Sequence, residues 1–336
     1  MAKLCEKKLI HKPLFGFEID NTQIIPRIEK GLPNAVNLQT RLTKNLYMDI
    51  PFIPSPMDSV MNVQMAVKLI AIGGIPIIYI NCKDLNAGVN DFVEVCNMAK
   101  DVKKIGISIA SGIENIKKLD AIIDEVDVIA IDSLHSNPVQ MLDTISYIKS
   151  HYPQIDVISG NVTNGYDAKE VIMRGADAVR VGMTSNSVNK ATDLFGCGRC
   201  QGSAIWECSQ IADEYNIPVI ADGGIKHAKD IARAIALGAS SVMMGKMFAA
   251  LQESPCEELI IEQGTMKYYK GMSRREIIDD SMFVESTPQL IVAKGKFDEE
   301  VKKWLDIVKT TVVKSGEMSI EGLRINGMLE ILSDKV

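Results

Sequence analysis

The sequence predicts a closed barrel of eight parallel strands, each followed by a helix. Short apolar runs alternate with segments of helical periodicity, and a run that is apolar throughout is typical of a parallel strand buried on both faces. Eight such alternations favour a (β/α)8 TIM barrel over an open doubly wound sheet, which stays open as the alternative. The runs lie at 52–56, 74–79, 104–109, 126–131, 155–159, 178–182, 217–221 and 240–244.

The segments between these runs predict the helices and where they end. Helical periodicity extends over 63–72, 113–123, 138–151 and 168–175. Two Gly-Ala pairs, at Gly175 and Gly238, stand where a helix gives way to a strand. Glycine in that position ends a helix in the left-handed conformation.

We expect residues 1–336 to form one domain. Residues 1–50 form an N-terminal extension, residues 51–249 the barrel core, and residues 250–336 a C-terminal extension. That last part contains a flap-like loop at 268–273 and a long amphipathic helix near 299–313. No stretch rich in proline, glycine or serine marks a linker.

Composition excludes several classes of protein. The net charge is −6 and no basic stripe stands out, which argues against nucleic acid as the main partner. The longest apolar runs, such as 71–80, are too short to span a membrane, and the start of the chain lacks a signal-peptide core. Seven cysteines in such a chain are expected to be reduced thiols, so we expect a cytoplasmic protein.

In a barrel of this kind the active site lies at the carboxyl ends of the strands. These ends are rich in small, polar and acidic residues, which suit a ligand with a phosphate and a ribose. Asp222 is placed to accept hydrogen bonds from a ribose diol. Gly223, Gly224 and Gly245 are placed to present backbone N–H groups to a phosphate, beside the positive charge of Lys246. The ends lie at 55–58, 81–82, 111, 132–135, 160–163, 182–187, 222–224 and 245–246.

Taken together, these motifs resemble the IMP dehydrogenase/GMP reductase family over most of the chain. No single motif is specific, but their joint order and spacing are. No regulatory pair of domains is inserted after residues 74–79, so the layout is closest to GMP reductase. The motifs are Leu-Thr-Lys-Asn at 42–45, Ser-Pro-Met-Asp at 55–58, Gly-Gly at 73–74, Asp132 with His135, Gly-Asn-Val at 160–162, Arg-Val-Gly at 180–182, Gly-Cys-Gly-Arg at 196–199 with Gln201, Ala-Asp-Gly-Gly-Ile at 221–225 and Tyr-Lys-Gly-Met at 269–272.

The resemblance implies a role for each matching position. A purine nucleoside monophosphate (GMP, IMP, XMP or a modified purine) would be bound by Ser55, Met57, Ser187, Asp222, Gly223, Gly224, Gly245, Lys246, Tyr269, Gly271 and Met272. NAD or NADP would lie near Asp132, Ser133, Asn161, Arg180 and Gly182. Glu285 matches the acidic or amide residue over the purine. The family also implies a homotetramer.

The catalytic loop departs from the family pattern Gly-x-Gly-Ser-x-Cys-x-Thr. Here Asn189 replaces the cysteine whose thiolate adds to carbon 2 of the purine, and an amide is not a useful nucleophile. Thr184 and Asn186 replace the loop glycines, which makes the family's potassium site doubtful. No metal site is predicted.

Other cysteines offer alternatives to the missing nucleophile, and one histidine stands at a strand end. Cys82 follows the second strand and is a candidate nucleophile. Cys197 and Cys200 have metal or redox spacing, but Cys197 belongs to an ordinary variant of the family's sequence and only Cys200, where proline is usual, is unexpected. His135 is either a structural residue or a cofactor contact.

Four functions therefore remain in competition. The first is a nicotinamide-dependent oxidoreductase acting on a purine nucleotide, close to GMP reductase, with Asn189 and Glu285 at the reacting centre. The second is hydrolysis or group transfer on a modified purine nucleotide, with Asp58, Asn189 and Lys190 orienting the reactants and Glu285 as general base. The third is an inactive nucleotide sensor, and the fourth is a flavin-phosphate enzyme.

Overall fold

Most of the chain is described by the computed structural model, namely residues 16–82, 84–99, 104–132, 138–182, 198–262, 264–270 and 289–332. Its strands are β1 (Thr22–Ile24), β2 (Thr40–Arg41), β3 (Tyr47–Met48), β4 (Phe52–Pro54), β5 (Ile77–Tyr79), β6 (Gly106–Ala110), β7 (Val128–Asp132), β8 (Asp156–Val162), β9 (Ala178–Val181), β10 (Val219–Asp222), β11 (Ser241–Met244), β12 (Glu257–Ile261), β13 (Gly264–Tyr269), β14 (Gln289–Val292) and β15 (Leu329–Ile331).

Strands β4 to β11 form one parallel sheet that curls into a nearly closed barrel. Each of the eight predicted apolar runs carries one of these strands. The order is β4-β11-β10-β9-β8-β7-β6-β5, so the last strand pairs beside the first. The predicted (β/α)8 barrel is therefore confirmed.

The helices are α1 (Val63–Ala71), α2 (Leu85–Met98), α3 (Ile113–Lys117), α4 (Pro138–His151), α5 (Gly165–Met173), α6 (Gln201–Glu214), α7 (Ala228–Ala236), α8 (Lys246–Ala249), α9 (Phe297–Lys314) and α10 (Ile320–Asn326). The helix predicted at 113–123 is shorter than expected. It ends at Lys117, and a 3-10 turn at Ile123–Glu125 follows, because the chain must return to the start of β7.

Helix α9 completes the ring of helices around the barrel. It contacts both α1 and α7, the helices that follow the first and the seventh barrel strands. Its buried face includes Trp304, whose ring meets Phe248 edge-on at a centroid distance of 5.3 Å. The segment between β11 and α9 contains the three-stranded antiparallel sheet β12-β13-β14.

Glycine ends the helices as the sequence predicts. Gly175 and Gly238, which follow α5 and α7, have φ values of 105° and 114°. A side chain rarely adopts such values, so glycine permits the immediate turn into the next strand. Among the described residues, none of the helices combines the length and apolar character needed to cross a membrane.

The hairpin β2-β3 closes the N-terminal end of the barrel. Leu42 and Met48 are buried against the apolar interior, which also contains Ile53, Ile77, Val128, Ala130, Ile158, Ala178, Ile220 and Met243. Thr43 and Asn45 donate hydrogen bonds to the Asp156 carboxylate at the start of β8. With one end sealed in this way, the opposite, carboxyl end of the strands is the one that can receive a ligand.

Candidate active site

A layer of polar residues lies at the carboxyl end of the barrel, directly above the apolar interior. Residues two apart in a strand face the same side of a sheet. Ser55, Asp132, Arg180, Asp222 and Gly245 each stand two residues beyond an interior apolar residue of the same strand. The sequence therefore brings side chains from distant parts of the chain to one face.

Arg180 is the centre of this layer. Its guanidinium donates to Asp132 Oδ1 over 3.1 Å through Nη2 and to Asn161 Oδ1 over 2.7 Å through Nε. The same Nε lies 3.6 Å from Asp222 Oδ2. Asn161 in turn donates to Asp222 Oδ2 over 2.8 Å and to the Gly182 carbonyl. Four predicted site residues and Gly182 are thus joined in one network.

The network places two carboxylates around one guanidinium, and Arg180 is almost fully buried. Burial raises the pKa of Asp222, and the nearby Asp132 charge raises it further. Arg180 and the Asn161 hydrogen bond act in the opposite direction and lower this pKa. The Asp222 carboxylate is therefore incompletely compensated, and a ligand hydroxyl that donates to it would stabilise its charge.

Gln201 is a site residue to which the sequence analysis assigned no role. Its side-chain Nε2 donates to the Val181 carbonyl over 2.9 Å and to the Asp222 carbonyl over 3.1 Å, so it bridges β9 and β10. Its Oε1 is buried without a partner among the residues that the structure describes. Only the proximity of α6 to these two strands reveals this role.

Two glycines follow β10 in conformations that favour glycine. Gly223 and Gly224 have φ values of 94° and 76°. Gly182, after β9, has a φ of 137°, and a Cβ there would stand 2.0 Å from the Asp222 carbonyl oxygen. Gly223 and Gly224 are partly exposed at the end of β10, as a phosphate-binding loop requires, whereas Gly182 is buried against that strand.

Gly245, after β11, lies against Tyr269 from the antiparallel sheet. A Cβ at Gly245 would stand 2.3 Å from Tyr269 Oη and 3.5 Å from Ser55 Oγ. Tyr269 is buried, its Oη lies 3.8 Å from Met57 Sδ, and burial raises the pKa of its hydroxyl. Ser55, Met57, Gly245 and Tyr269 therefore meet, as the sequence predicts.

We expect Gly245→Ala to displace Tyr269 and to lower the free energy of unfolding by about 1–3 kcal/mol, the usual cost of overpacking. Chemical denaturation of the variant beside the wild type measures this. Gly295→Ala is the matched control for the new methyl group, since a Cβ there meets no atom from elsewhere in the chain closer than 3.4 Å and its φ is not in the positive range. An unchanged midpoint for Gly245→Ala would contradict the packing described.

Lys246 directly follows Gly245 and lies at the edge of a groove. It lines a groove of about 560 Å³ together with Lys226, His227, Lys294 and Trp304. This groove lies beside the predicted phosphate loop, since Ile225 and Lys246 directly follow Gly224 and Gly245. The sequence-based phosphate role of Lys246 stays a prediction.

Several predicted residues lie outside the described part of the chain. They are Ser133, His135, Thr184, Asn186, Ser187, Asn189, Lys190, Cys197, Gly271, Met272 and Glu285.

The structure does locate the residue from which the flap-like loop continues: Ser59 Oγ donates to the Lys270 carbonyl over 2.7 Å. The flap-like loop therefore begins beside the turn after β4.

The described cysteines are poor nucleophiles. Burial raises the pKa of the Cys82 thiol, and it also raises the pKa of the Cys200 thiol. A thiol that stays protonated near neutral pH is weakly reactive.

Within the described residues, no cluster of three or more histidine, cysteine or acidic side chains is arranged to hold a metal ion.

Comparison with known proteins agrees with this architecture. Residues 16–335 match the family profile described as IMP dehydrogenase / GMP reductase domain. Inosine-5'-monophosphate dehydrogenase from Cryptosporidium parvum is 33% identical over 361 residues, which covers 92% of this chain and 90% of that protein. The enzyme of the same name from Borreliella burgdorferi is 32% identical over 300 residues, covering 75% and 74%. That from Chlorobaculum tepidum is 34% identical, over 69% of this chain and 51% of its own length.

The fold and the polar layer define a (β/α)8-barrel protein whose site is built from strand ends. The profile match spans almost the whole chain and two relatives exceed 30% identity over most of it. The chain belongs to the IMP dehydrogenase/GMP reductase family, a family of purine-nucleotide oxidoreductases.

Proposed function

We propose that this protein transfers hydride between a purine nucleoside monophosphate and a nicotinamide cofactor, without a cysteine nucleophile. The observation that carries the proposal is the sharing of Arg180 between Asp222 and Asp132. Asp222 lies on the side assigned to the nucleotide and Asp132 on the side assigned to the cofactor. One buried network thus serves both ligands, as a reaction between them requires.

On the nucleotide side, Asp222 accepts from the ribose diol and the backbone of Gly223, Gly224 and Gly245 receives the phosphate. Ser55, Met57 and Tyr269 shape the pocket next to Gly245, an arrangement that their contacts support. Lys246, Ser187, Gly271, Met272 and Glu285 join them on the strength of the family resemblance.

The residues on the cofactor side fit a nicotinamide group. Asp132, Asn161, Arg180 and Gly182 offer buried polar groups, and the unpartnered Oε1 of Gln201 lies beside Gly182, a position where a Cβ would also clash. Ser133 completes the set from the sequence. NAD or NADP, when bound, supplies or accepts the hydride, and these residues orient it.

Asn189 makes the covalent route unavailable, because an amide does not add to the purine as a thiolate does. A direct transfer needs no thiol. A reduced nicotinamide held by Asp132, Asn161 and Arg180 would supply hydride to carbon 2 of an unsaturated purine ring, and the adjoining nitrogen would take a proton from solvent. One ring C=N bond would be reduced and the nicotinamide oxidised. The relatives' name indicates IMP as the first nucleotide to test.

The test is to mix the protein with GMP, IMP or XMP and each nicotinamide cofactor. Absorbance of the reduced nicotinamide and mass spectrometry of the purine are followed together. Altered purine with an equal change in cofactor supports the proposal. Altered purine with no cofactor change favours hydrolysis or group transfer, and tight binding with no turnover favours a sensor.

Restoring the thiol gives a second prediction. We expect Asn189→Cys to raise turnover of GMP or IMP by at least tenfold, since removal of a covalent nucleophile commonly costs orders of magnitude. Asn189→Ser, which is small but less nucleophilic, is the matched control. Equal turnover in the wild type and in Asn189→Cys would contradict this prediction, because a restored thiol would then fail to open the faster covalent route.

We also propose that residues 1–336 act as one domain in a cytoplasmic homotetramer. The outer face of the antiparallel sheet supports self-association. Leu259, Leu290 and Val292 are exposed by 47%, 51% and 62%, and such apolar surface is typical of an interface. Light scattering on the purified protein measures the assembly.

A further inference from the structure

Lys267 on β13 is a fully buried lysine, with 0% of its surface exposed. Its ammonium group donates to the Leu251 carbonyl, to the Gln252 carbonyl over 3.2 Å and to the Ser254 carbonyl and Oγ over 3.3 and 3.0 Å. Glu258 Oε1 lies 3.5 Å away. An ammonium has three hydrogens to donate, and these acceptors, all in the turn at residues 251–254 except Glu258, use its capacity in full.

That turn is the continuation of the segment that begins at Gly245. The short helix α8 follows Gly245 directly, and the chain then turns through residues 250–254. Ser254 Oγ, which accepts from Lys267, also donates to the Ala249 carbonyl over 2.6 Å. Lys267 therefore fixes the far end of a segment whose near end is the predicted phosphate glycine.

Tyr269 stands two residues beyond Lys267 in β13, on the same face of the sheet. Its hydroxyl packs on Gly245 at the near end of this segment. Strand β13 therefore contacts the segment at both ends, through the Lys267 ammonium at residues 251–254 and through the Tyr269 phenol at Gly245. The spacing between these two contacts is fixed by the two-residue separation of Lys267 and Tyr269 in the strand.

We infer that Lys267 is a positioning residue for the nucleotide site: it holds the segment from Gly245 to Ser254 against β13 and so sets Tyr269 against Gly245. The inference rests on the proposed function for the identity of the ligand, a purine nucleoside monophosphate. Loss of the ammonium would take its donor from the buried Ser254 carbonyl and one of two donors from the Leu251 carbonyl, and the turn would move to satisfy these groups.

The experiment is a double-mutant cycle on nucleotide affinity, with IMP as the probe and calorimetry as the readout. The variants are Lys267→Met, Tyr269→Phe and the two combined. Lys303→Met, on an exposed ion pair of α9, is the matched control. Thermal unfolding of each variant checks that it is folded, and Ser254→Ala, which removes one acceptor of Lys267, replaces Lys267→Met if that variant does not fold.

We expect Lys267→Met to weaken IMP binding at least tenfold and Lys303→Met to leave it unchanged. In the combined variant, loss of the Tyr269 hydroxyl should add almost nothing, because a displaced Tyr269 no longer contributes. Strictly additive losses, or an unchanged affinity despite a lower unfolding temperature, would overturn the inference and make Lys267 merely structural.

Hydrogen exchange separates failure of this inference from failure of the proposed function. If the wild type binds no purine nucleotide, the proposed function fails. Amides of residues 245–254 and of residue 269 should even then exchange faster in Lys267→Met than in Lys303→Met. Equal exchange in both variants would overturn the positioning role independently of any ligand.

Discussion

Asp222→Ala is expected to weaken purine nucleotide binding by about 10–100-fold, the usual worth of hydrogen bonds to a charged group. The variant should lose little stability, because Arg180 keeps the Asp132 carboxylate and the Asn161 side chain as partners. Burial raises the pKa of Asp222, which means that its ionised form carries an unfavourable desolvation cost in the folded protein. A loss of affinity with little loss of stability is typical of a residue kept for binding.

Calorimetric titration with IMP, GMP and XMP measures the affinity, and thermal unfolding measures the stability. Asp143→Ala is the control, since the Asp143 carboxylate is 56% exposed on α4 and has only a 3.9 Å ion pair with Arg174. Unchanged affinity in Asp222→Ala would remove Asp222 from the nucleotide site.

Arg180→Met is expected to lower the free energy of unfolding by about 3–5 kcal/mol at neutral pH, as removal of one partner from a buried ion pair usually does. Two carboxylates, Asp132 and Asp222, would then face each other without their shared cation. Arg174→Met, with an exposed side chain, is the matched control and should change stability little.

The loss of stability in Arg180→Met should grow with pH. Arg180 lowers the pKa of Asp222 in the wild type, so its removal raises that pKa further. A carboxyl group whose pKa is higher in the folded than in the unfolded state binds more protons when folded. Stability then falls as pH rises from the unfolded value, near 4, through the folded one. Denaturation between pH 5 and 8, at which most unperturbed carboxyl groups are ionised, tests this, and a pH-independent difference would contradict it.

The barrel could be predicted from the sequence because its strands are apolar throughout and end in glycine or polar residues. Because residues two apart in a strand face the same side of the sheet, the sequence also places Asp132, Arg180 and Asp222 on one face. These signals are local. They needed no knowledge of which strands pair, only of where each strand ends.

Contacts between distant segments could not be predicted in this way. In the sequence, Gln201 stands out only as part of a family motif, and nothing marks Lys267 at all. Only the packing of α6 on β9 and β10, and of β13 on the turn after α8, shows them to be buried. Helix α9 was predicted correctly as a helix, whereas its place between α1 and α7 depends on the closed barrel.

The most direct test of the proposed nucleotide site compares IMP with its 2',3'-dideoxy analogue by calorimetry, on the wild type and on Asp222→Ala. The wild type should bind IMP at least tenfold more tightly than the analogue, because only IMP offers the ribose diol to Asp222, and Asp222→Ala should bind the two alike. Equal affinities in the wild type, or a preference for IMP that survives in Asp222→Ala, would contradict the assignment.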